Sequence, residues 1–242
     1  IALYQRIASK FHHSIDEEIT TTSSSSSSSE DHQRIGDLAV DVGCGTGQVS
    51  IPLADYFSHV VAIDPSQAQL QEAVKHDKVS YKLGDATIIP VNDGVVDLVA
   101  TAQAAHWFDM EHFYSEVDRV LIPGSGVCAI WTYGNMTFPN NPDLQHRIMG
   151  EFYNGLLKEG NYWDSRRQLV DDRYTSLPLL GNEKGYDTER IDEGLDIHST
   201  MTRDELLGYL QSWSGYVTYL ERNTIQQSSK EDPIEDIRQW LD

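Results

Sequence analysis

"VDVGCGTGQ", residues 40–48, is the stretch that decides the fold. It overlaps the apolar run "LAVDVG" (38–43) and leads into "QVSIPLADYF" (48–57). The first reads as a buried strand and the second as a helix, which puts the glycines at a strand-to-helix turn. Glycines at 43, 45 and 47 let the backbone turn tightly and approach a ligand closely. The helix start adds N–H groups without intrahelical partners. A dinucleotide fingerprint would read G-x-G-x-x-G; here the spacing is G-x-G-x-G, and Gln48 stands where the last glycine belongs. No G-x-x-x-x-G-K-[ST] phosphate loop occurs either.

Around this turn the chain alternates regularly. "HVVAID" (59–64), "VSYKLG" (79–84), "DLVATAQ" (97–103) and "VCAIWTY" (127–133) read as strands. "SQAQLQEAVKH" (66–76), with Ser66 as N-cap, and "EHFYSEVDRVL" (111–121) read as helices. Near-continuous apolar strands between amphipathic helices predict an α/β fold: a Rossmann-like, doubly wound, mostly parallel sheet with right-handed crossovers. Residues 2–11 carry apolar positions at helical spacing. The Thr/Ser-rich stretch at about 18–33 cannot bury a core and predicts a disordered surface loop.

Beyond Gly134 the rhythm changes. "NPDLQHRIMGEFYNGLLKEG" (141–160) is helical in pattern. So are "TRDELLGYLQSW" (202–213), with Thr202 and Glu205 as a capping box, and "DPIEDIRQWL" (232–241), with Pro233 at its first position. The expectation is a cofactor-binding core over 1–134 and a helical cap or extension on the substrate side over 135–242, integrated as one domain.

Composition narrows the partners. The net charge of the 242 residues is −20, with no Lys/Arg-rich block, which argues against nucleic acid and against basic docking on membranes. No run of 18 apolar residues is present. Cys44 and Cys128 form neither a disulfide framework nor a metal-spacing pattern, so no metal site is expected. The start "IALYQRIASK" has no Met and no apolar signal region, which reads as a fragment or processed chain with a cytoplasmic setting. A small-molecule substrate is the class left open.

The acids then point to a ligand. Asp41 precedes the first glycine, where a carboxylate would repel a pyrophosphate and favour an ammonium group. Asp64 ends the second strand and can accept from both ribose hydroxyls. Gly84-Asp85-Ala86 follow the third, and Asp85 can accept from an adenine amino group. Ala102 and Gln103 stand at the fourth strand end, on the same crevice. A single Asp after a strand is ordinarily a turn residue, but three in register with three successive strands form a stronger pattern. The loop suits a ligand with a cationic end and no phosphate; S-adenosylmethionine, with its α-amino group, sulfonium, ribose and adenine, fits.

"DVGCGTGQ", "AIDPSQAQL", "LGDA" and "AQAAHWFD" together make the chain resemble a class I S-adenosylmethionine-dependent methyltransferase. "LQSWSGY" (210–216) narrows the resemblance to the small-molecule group that includes trans-aconitate methyltransferases. That resemblance implies S-adenosylmethionine as cofactor and S-adenosylhomocysteine as product. It also implies a place for His106 and Trp107 at the methyl-transfer end of the cleft and an approach of Trp213, Ser214 and Tyr216 to the substrate. A carboxylate acceptor yielding a methyl ester is its first implication; a phenol or amine acceptor, or a non-catalytic binding protein of the same fold, are the alternatives. Members of the family usually carry an upstream segment folding over the cofactor and a terminal antiparallel strand; no apolar strand follows Trp240.

His106 stays open between two readings. Beside Trp107 and Phe108 it can be a satisfied structural histidine or a pocket residue. With a hydroxyl acceptor it would serve as general base. A carboxylate needs no base, and His106 would then position or neutralise the acid. Arg147, Arg166, Arg167 and Arg203 are the candidate cations for such a substrate.

Overall fold

The computed structural model describes residues 34–181, 185–192, 198–225 and 232–241. The expected helix over 2–11 and the Thr/Ser-rich loop lie outside them. The described residues divide into two units: one holds residues up to Tyr133 together with those between Tyr174 and Leu195, the other holds the remainder.

The first unit is built on five parallel strands: β1 (Gly36–Val42), β2 (Phe57–Asp64), β3 (Val79–Leu83), β4 (Leu98–Ala102) and β5 (Val127–Trp131). Their order in the sheet is β3-β2-β1-β4-β5. Val42 lies opposite Ile63, and Asp41 lies between Ala62 and Ala100. The order reverses between β1 and β4, which opens a crevice at their carboxyl ends, where open α/β sheets bind ligands. Successive side chains point to opposite faces. Accordingly Ala39, Val60, Ala62, Leu98 and Ala100 join one core, with Leu53 of helix α1 (Ser50–Leu53). Val40, Val61, Ile63 and Val99 join the other, with Phe113 and Val117 of helix α3 (Met110–Val120). Helix α2 (Gln67–Gln71) follows β2. The doubly wound sheet is thus as expected.

Element lengths differ, for local reasons. The helix expected over 48–57 shrinks to α1, because Phe57 is taken into the sheet opposite Gly36. The helix expected over 66–76 ends at Gln71. Past it, Val74 uses its N–H on Thr46 O (3.2 Å) and its carbonyl on the Tyr81 hydroxyl (2.9 Å) instead of continuing a helix. Ser66 does cap α2, its side chain accepting from Gln69 N.

The second unit is helical: α4 (Pro142–Gln145), a π-helix (His146–Lys158), α5 (Arg167–Asp171), α6 (Arg203–Gln211), α7 (Ser214–Ile225) and α8 (Pro233–Leu241). The π-helix places Ile148, Phe152, Tyr153 and Leu157 at spacings of four to five residues, and they share a core with Leu207, Leu210, Tyr219 and Ile237. The Thr202–Glu205 capping box forms as expected at the start of α6. No helix among the described residues is long and apolar enough to cross a membrane.

Candidate active site

The glycine loop hangs from β2. Gly43 N and Cys44 N both donate to Ile63 O, at 2.8 and 3.0 Å. Gly43 has φ 75°, and a Cβ there would overlap the Ala104 methyl. Gly47 has φ 94°, and its Cβ would overlap the Tyr81 hydroxyl. These two glycines are therefore required by the protein's own packing. Gly45 is different: a Cβ would meet only Gln69 Oε1, at 3.8 Å. That side of the loop has space for a ligand.

Asp64 locks the loop to the end of β2. Its Oδ2 accepts from Gly45 N and its Oδ1 from Ser66 N, both at 2.8 Å. Each carboxylate oxygen keeps a second acceptor position, which suits a pair of hydroxyls. Asp85 is exposed; its Oδ1 accepts from Thr87 N (2.8 Å) and Thr87 Oγ1 (2.5 Å), which hold its carboxyl below the usual carboxylate range. Among the described residues no donor is bound to its Oδ2. Ala86 is buried in the core beside Ile89.

Asp41 lies beneath the loop. It is 1% exposed, and its Oδ2 accepts from Ser50 Oγ at 2.6 Å. Burial pushes its pKa up to about 7, against the smaller opposing effect of the Ser50 hydrogen bonds, so the acid is near its midpoint at neutral pH.

One support was not legible in the chain. Glu116 and Arg119, on α3, pair at 2.6 Å and grip the segment after Ala86. Glu116 Oε2 accepts from Ile89 N (2.8 Å), while Arg119 donates to Ile89 O (2.8 Å) and Val91 O (3.0 Å). Their i, i+3 spacing suggests a surface pair; only the fold shows what they hold.

At the end of β4, Ala102 lies opposite Trp131. Gln103 has left-handed backbone (φ 53°), uncommon without glycine. Its amide spans to the end of β5, donating to Tyr133 O (2.9 Å) and accepting from Thr132 Oγ1 (2.7 Å). The 3-10 turn Ala105–Trp107 follows. His106 is 8% exposed, with Nδ1 2.8 Å from the Tyr174 hydroxyl. Its ring tilts against Trp107 at 4.8 Å between centroids, and Trp107 is 46% exposed. Phe108 packs on Phe113 (5.1 Å). Tyr174 lies 68 positions from His106, and no motif announces it.

Trp213, Ser214 and Tyr216 belong to the second unit. Trp213 stacks on Phe152 (5.8 Å), Ser214 O accepts from Thr218 Oγ1 (2.9 Å), and buried Tyr216 donates to Asp232 (2.8 Å). Of the arginines, Arg147 pairs with Glu151, Arg166 with Asp164 and Arg203 with Asp204. Arg167 pairs with Asp171 (3.5 Å), lies 4.8 Å over the Trp163 ring and donates to Asn135 Oδ1 (2.8 Å).

In the first unit, then, an open glycine loop and the carboxylates of Asp64 and Asp85 stand at three neighbouring strand ends. The open side of Gly45 and the spare acceptor positions of Asp64 fit S-adenosylmethionine.

Known proteins similar to this chain identify its family. A family model described as a methyltransferase domain matches residues 40–129. A Dictyostelium discoideum protein named as a methyltransferase is 35% identical over 206 residues, covering 85% of this chain and 72% of that protein. A Saccharomyces cerevisiae protein named as an S-adenosylmethionine-dependent methyltransferase is 25% identical over 208 residues, covering 76% of this chain and 71% of its own. The solved structure of a protein described as a type II methyltransferase from Anaeromyxobacter dehalogenans is 32% identical, with a TM-score of 0.66 over 84% of this chain and 78% of that one. The chain belongs to the class I S-adenosylmethionine-dependent methyltransferase family.

Proposed function

We propose that the chain methylates a small carboxylic acid on oxygen, giving a methyl ester, as its likeness to the trans-aconitate methyltransferase group suggests. S-adenosylmethionine, when bound, supplies an electrophilic sulfonium methyl. Gly45 leaves room for it, Asp64 would hold its ribose hydroxyls, and Asp85 Oδ2 would accept from its adenine amino group. Ala86, Ala102 and Gln103 would form apolar and backbone walls of the same pocket, with Gly43 and Gly47 shaping the loop. Asp41 would act on the ammonium end from beneath the loop. His106 and Trp107 would line the acceptor side.

The observation that carries the carboxylate reading is how the acids at these strand ends are employed. Asp41 is enclosed with Ser50, Asp64 accepts from two backbone N–H groups and Asp85 accepts from Thr87. A carboxylate acceptor arrives deprotonated and asks for none of them as a base. Catalysis then rests on holding its oxygen in line with the methyl, by proximity and orientation. Trp213, Ser214 and Tyr216 are proposed, from the resemblance alone, to bear on the choice of acceptor.

The test is calorimetric titration with S-adenosylhomocysteine, with NAD as control. The chain is expected to bind the first and not the second, and Asp64→Ala to lose at least tenfold in affinity. Incubation with labelled S-adenosylmethionine and panels of small carboxylic acids, phenols and amines then separates the acceptors. Base-labile label, released as methanol, marks a methyl ester. Label appearing only on phenols or amines would overturn the carboxylate reading, and preference for NAD would overturn the methyl-transfer reading altogether.

A further inference from the structure

His106 receives its partner from far along the chain. The imidazole Nδ1 and the Tyr174 hydroxyl are 2.8 Å apart, and both residues are buried. The rings tilt at 40° with centroids 6.0 Å apart. Tyr174 is not there by default. It has left-handed backbone (φ 57°), directly after a second left-handed residue, Arg173 (φ 52°). Side-chain-bearing residues hold that conformation only where surrounding structure over-determines it. Here Arg190 Nη2 donates to Tyr174 O at 2.8 Å, and Leu177 N to the same oxygen at 3.1 Å. Strained backbone at two successive residues delivers one hydroxyl to one imidazole nitrogen.

We propose that Tyr174 is a positioning residue that keeps the His106 proton on Nε2, so that His106 serves an oxyanion as a hydrogen-bond donor and does not act as a general base. The proposal rests on the acceptor-side place given to His106 above. Its chemistry is an ordering of acids and bases. Neutral imidazole carries one proton on two nitrogens, and whichever nitrogen accepts a hydrogen bond leaves the proton on the other. A phenol O–H is a stronger acid than a neutral imidazole N–H, and an imidazole nitrogen is a stronger base than a phenol oxygen. O–H···N is therefore the favoured polarity between them: Tyr174 donates and Nδ1 accepts. Nε2 then bears the hydrogen. A base acting through Nε2 would need the reverse polarity, with Nδ1 donating to the phenol oxygen. An N–H donor matches a carboxylate, which has acceptor lone pairs and no proton to give up.

The experiment is long-range 1H–15N correlation on the full chain with 15N-labelled histidine, at a pH where the imidazoles are neutral. His106→Gln identifies the His106 resonances by their loss. In the wild-type chain we expect a protonated Nε2 and an unprotonated Nδ1 shielded by the hydrogen bond it accepts. Tyr174→Phe removes the hydroxyl and keeps the ring; its Nδ1 resonance should move downfield toward a free imine nitrogen, while S-adenosylhomocysteine affinity stays within about twofold. In methyl transfer to a carboxylic acid, Tyr174→Phe should lower kcat/KM about tenfold without changing the KM for S-adenosylmethionine. A wild-type ring protonated on Nδ1, or an Nδ1 resonance unmoved by Tyr174→Phe, would overturn the proposal. Those outcomes differ from failure of the functional reading, which would appear as absent S-adenosylhomocysteine binding in the wild-type chain.

Discussion

The two ends of the crevice in the first unit are built on opposite principles. At the β1–β2 end the backbone carries the arrangement: three glycines within five residues, their loop bound through N–H groups to Ile63 O and to Asp64 at the tip of the neighbouring strand. At the β4 end the arrangement is made at long range. Gln103 reaches across to Thr132 and Tyr133, and His106 is met by Tyr174. On the function proposed above, the contrast follows from what each end would handle. A cofactor of constant shape can be held by backbone geometry, which a short motif specifies. An acceptor is recognised by side chains, and these are set in place by segments distant in the chain.

The comparison breaks most readily at Gly43. Gly43→Ala forces a Cβ onto the Ala104 methyl at φ 75°. Strain and overlap together should cost about 3–5 kcal/mol. Chemical denaturation should show the loss of stability, and S-adenosylhomocysteine binding should vanish with it. Unchanged stability would mean that the loop is held far less tightly than its backbone bonds indicate.

A smaller effect tests the acid beneath that loop. Asp41 keeps its proton to about pH 7 in the folded chain, against about 4 when unfolded. The folded state therefore binds more protons between those values. Stability from this group is full below pH 4, falls as pH rises to 7, and is flat above. The fall should amount to a few kcal/mol and should disappear in Asp41→Asn, measured by urea unfolding at several pH values. A wild-type profile that rises over this interval by the same amount, and is unaltered in Asp41→Asn, would contradict a buried, protonated carboxyl.

The smallest effect lies in the second unit, where a local motif acts alone. Thr202 accepts from Glu205 N (3.3 Å), and Glu205 Oε2 accepts from Thr202 N (2.7 Å). Thr202→Ala should cost about 1 kcal/mol in helix stability and leave S-adenosylhomocysteine affinity untouched. Lost affinity would show that this helix start shapes the cofactor site.

How much was legible divides along the same line. The alternation of apolar runs disclosed the parallel sheet, because a strand covered on both faces reads as a near-continuous apolar run. The caps at Ser66 and Thr202 were readable because their partners lie three residues away. Helix ends were not: α2 stops where Val74 turns to Thr46 and Tyr81, and Tyr81 belongs to another strand. Arg119 and Glu116 read as an ordinary helix pair, yet they grip Ile89 and Val91.

The sequence by itself determined the glycine turn, the succession of strands and helices, and the three acids at successive strand ends, because each depends on neighbours within a few residues or on a strict period. Only the tertiary structure decided that Asp41 is enclosed while Asp64 keeps acceptor positions to offer, and that His106 answers to Tyr174. Burial and hydrogen-bond partnership are properties of packing: they depend on which distant segments arrive at a position, and no local pattern of residues carries that information.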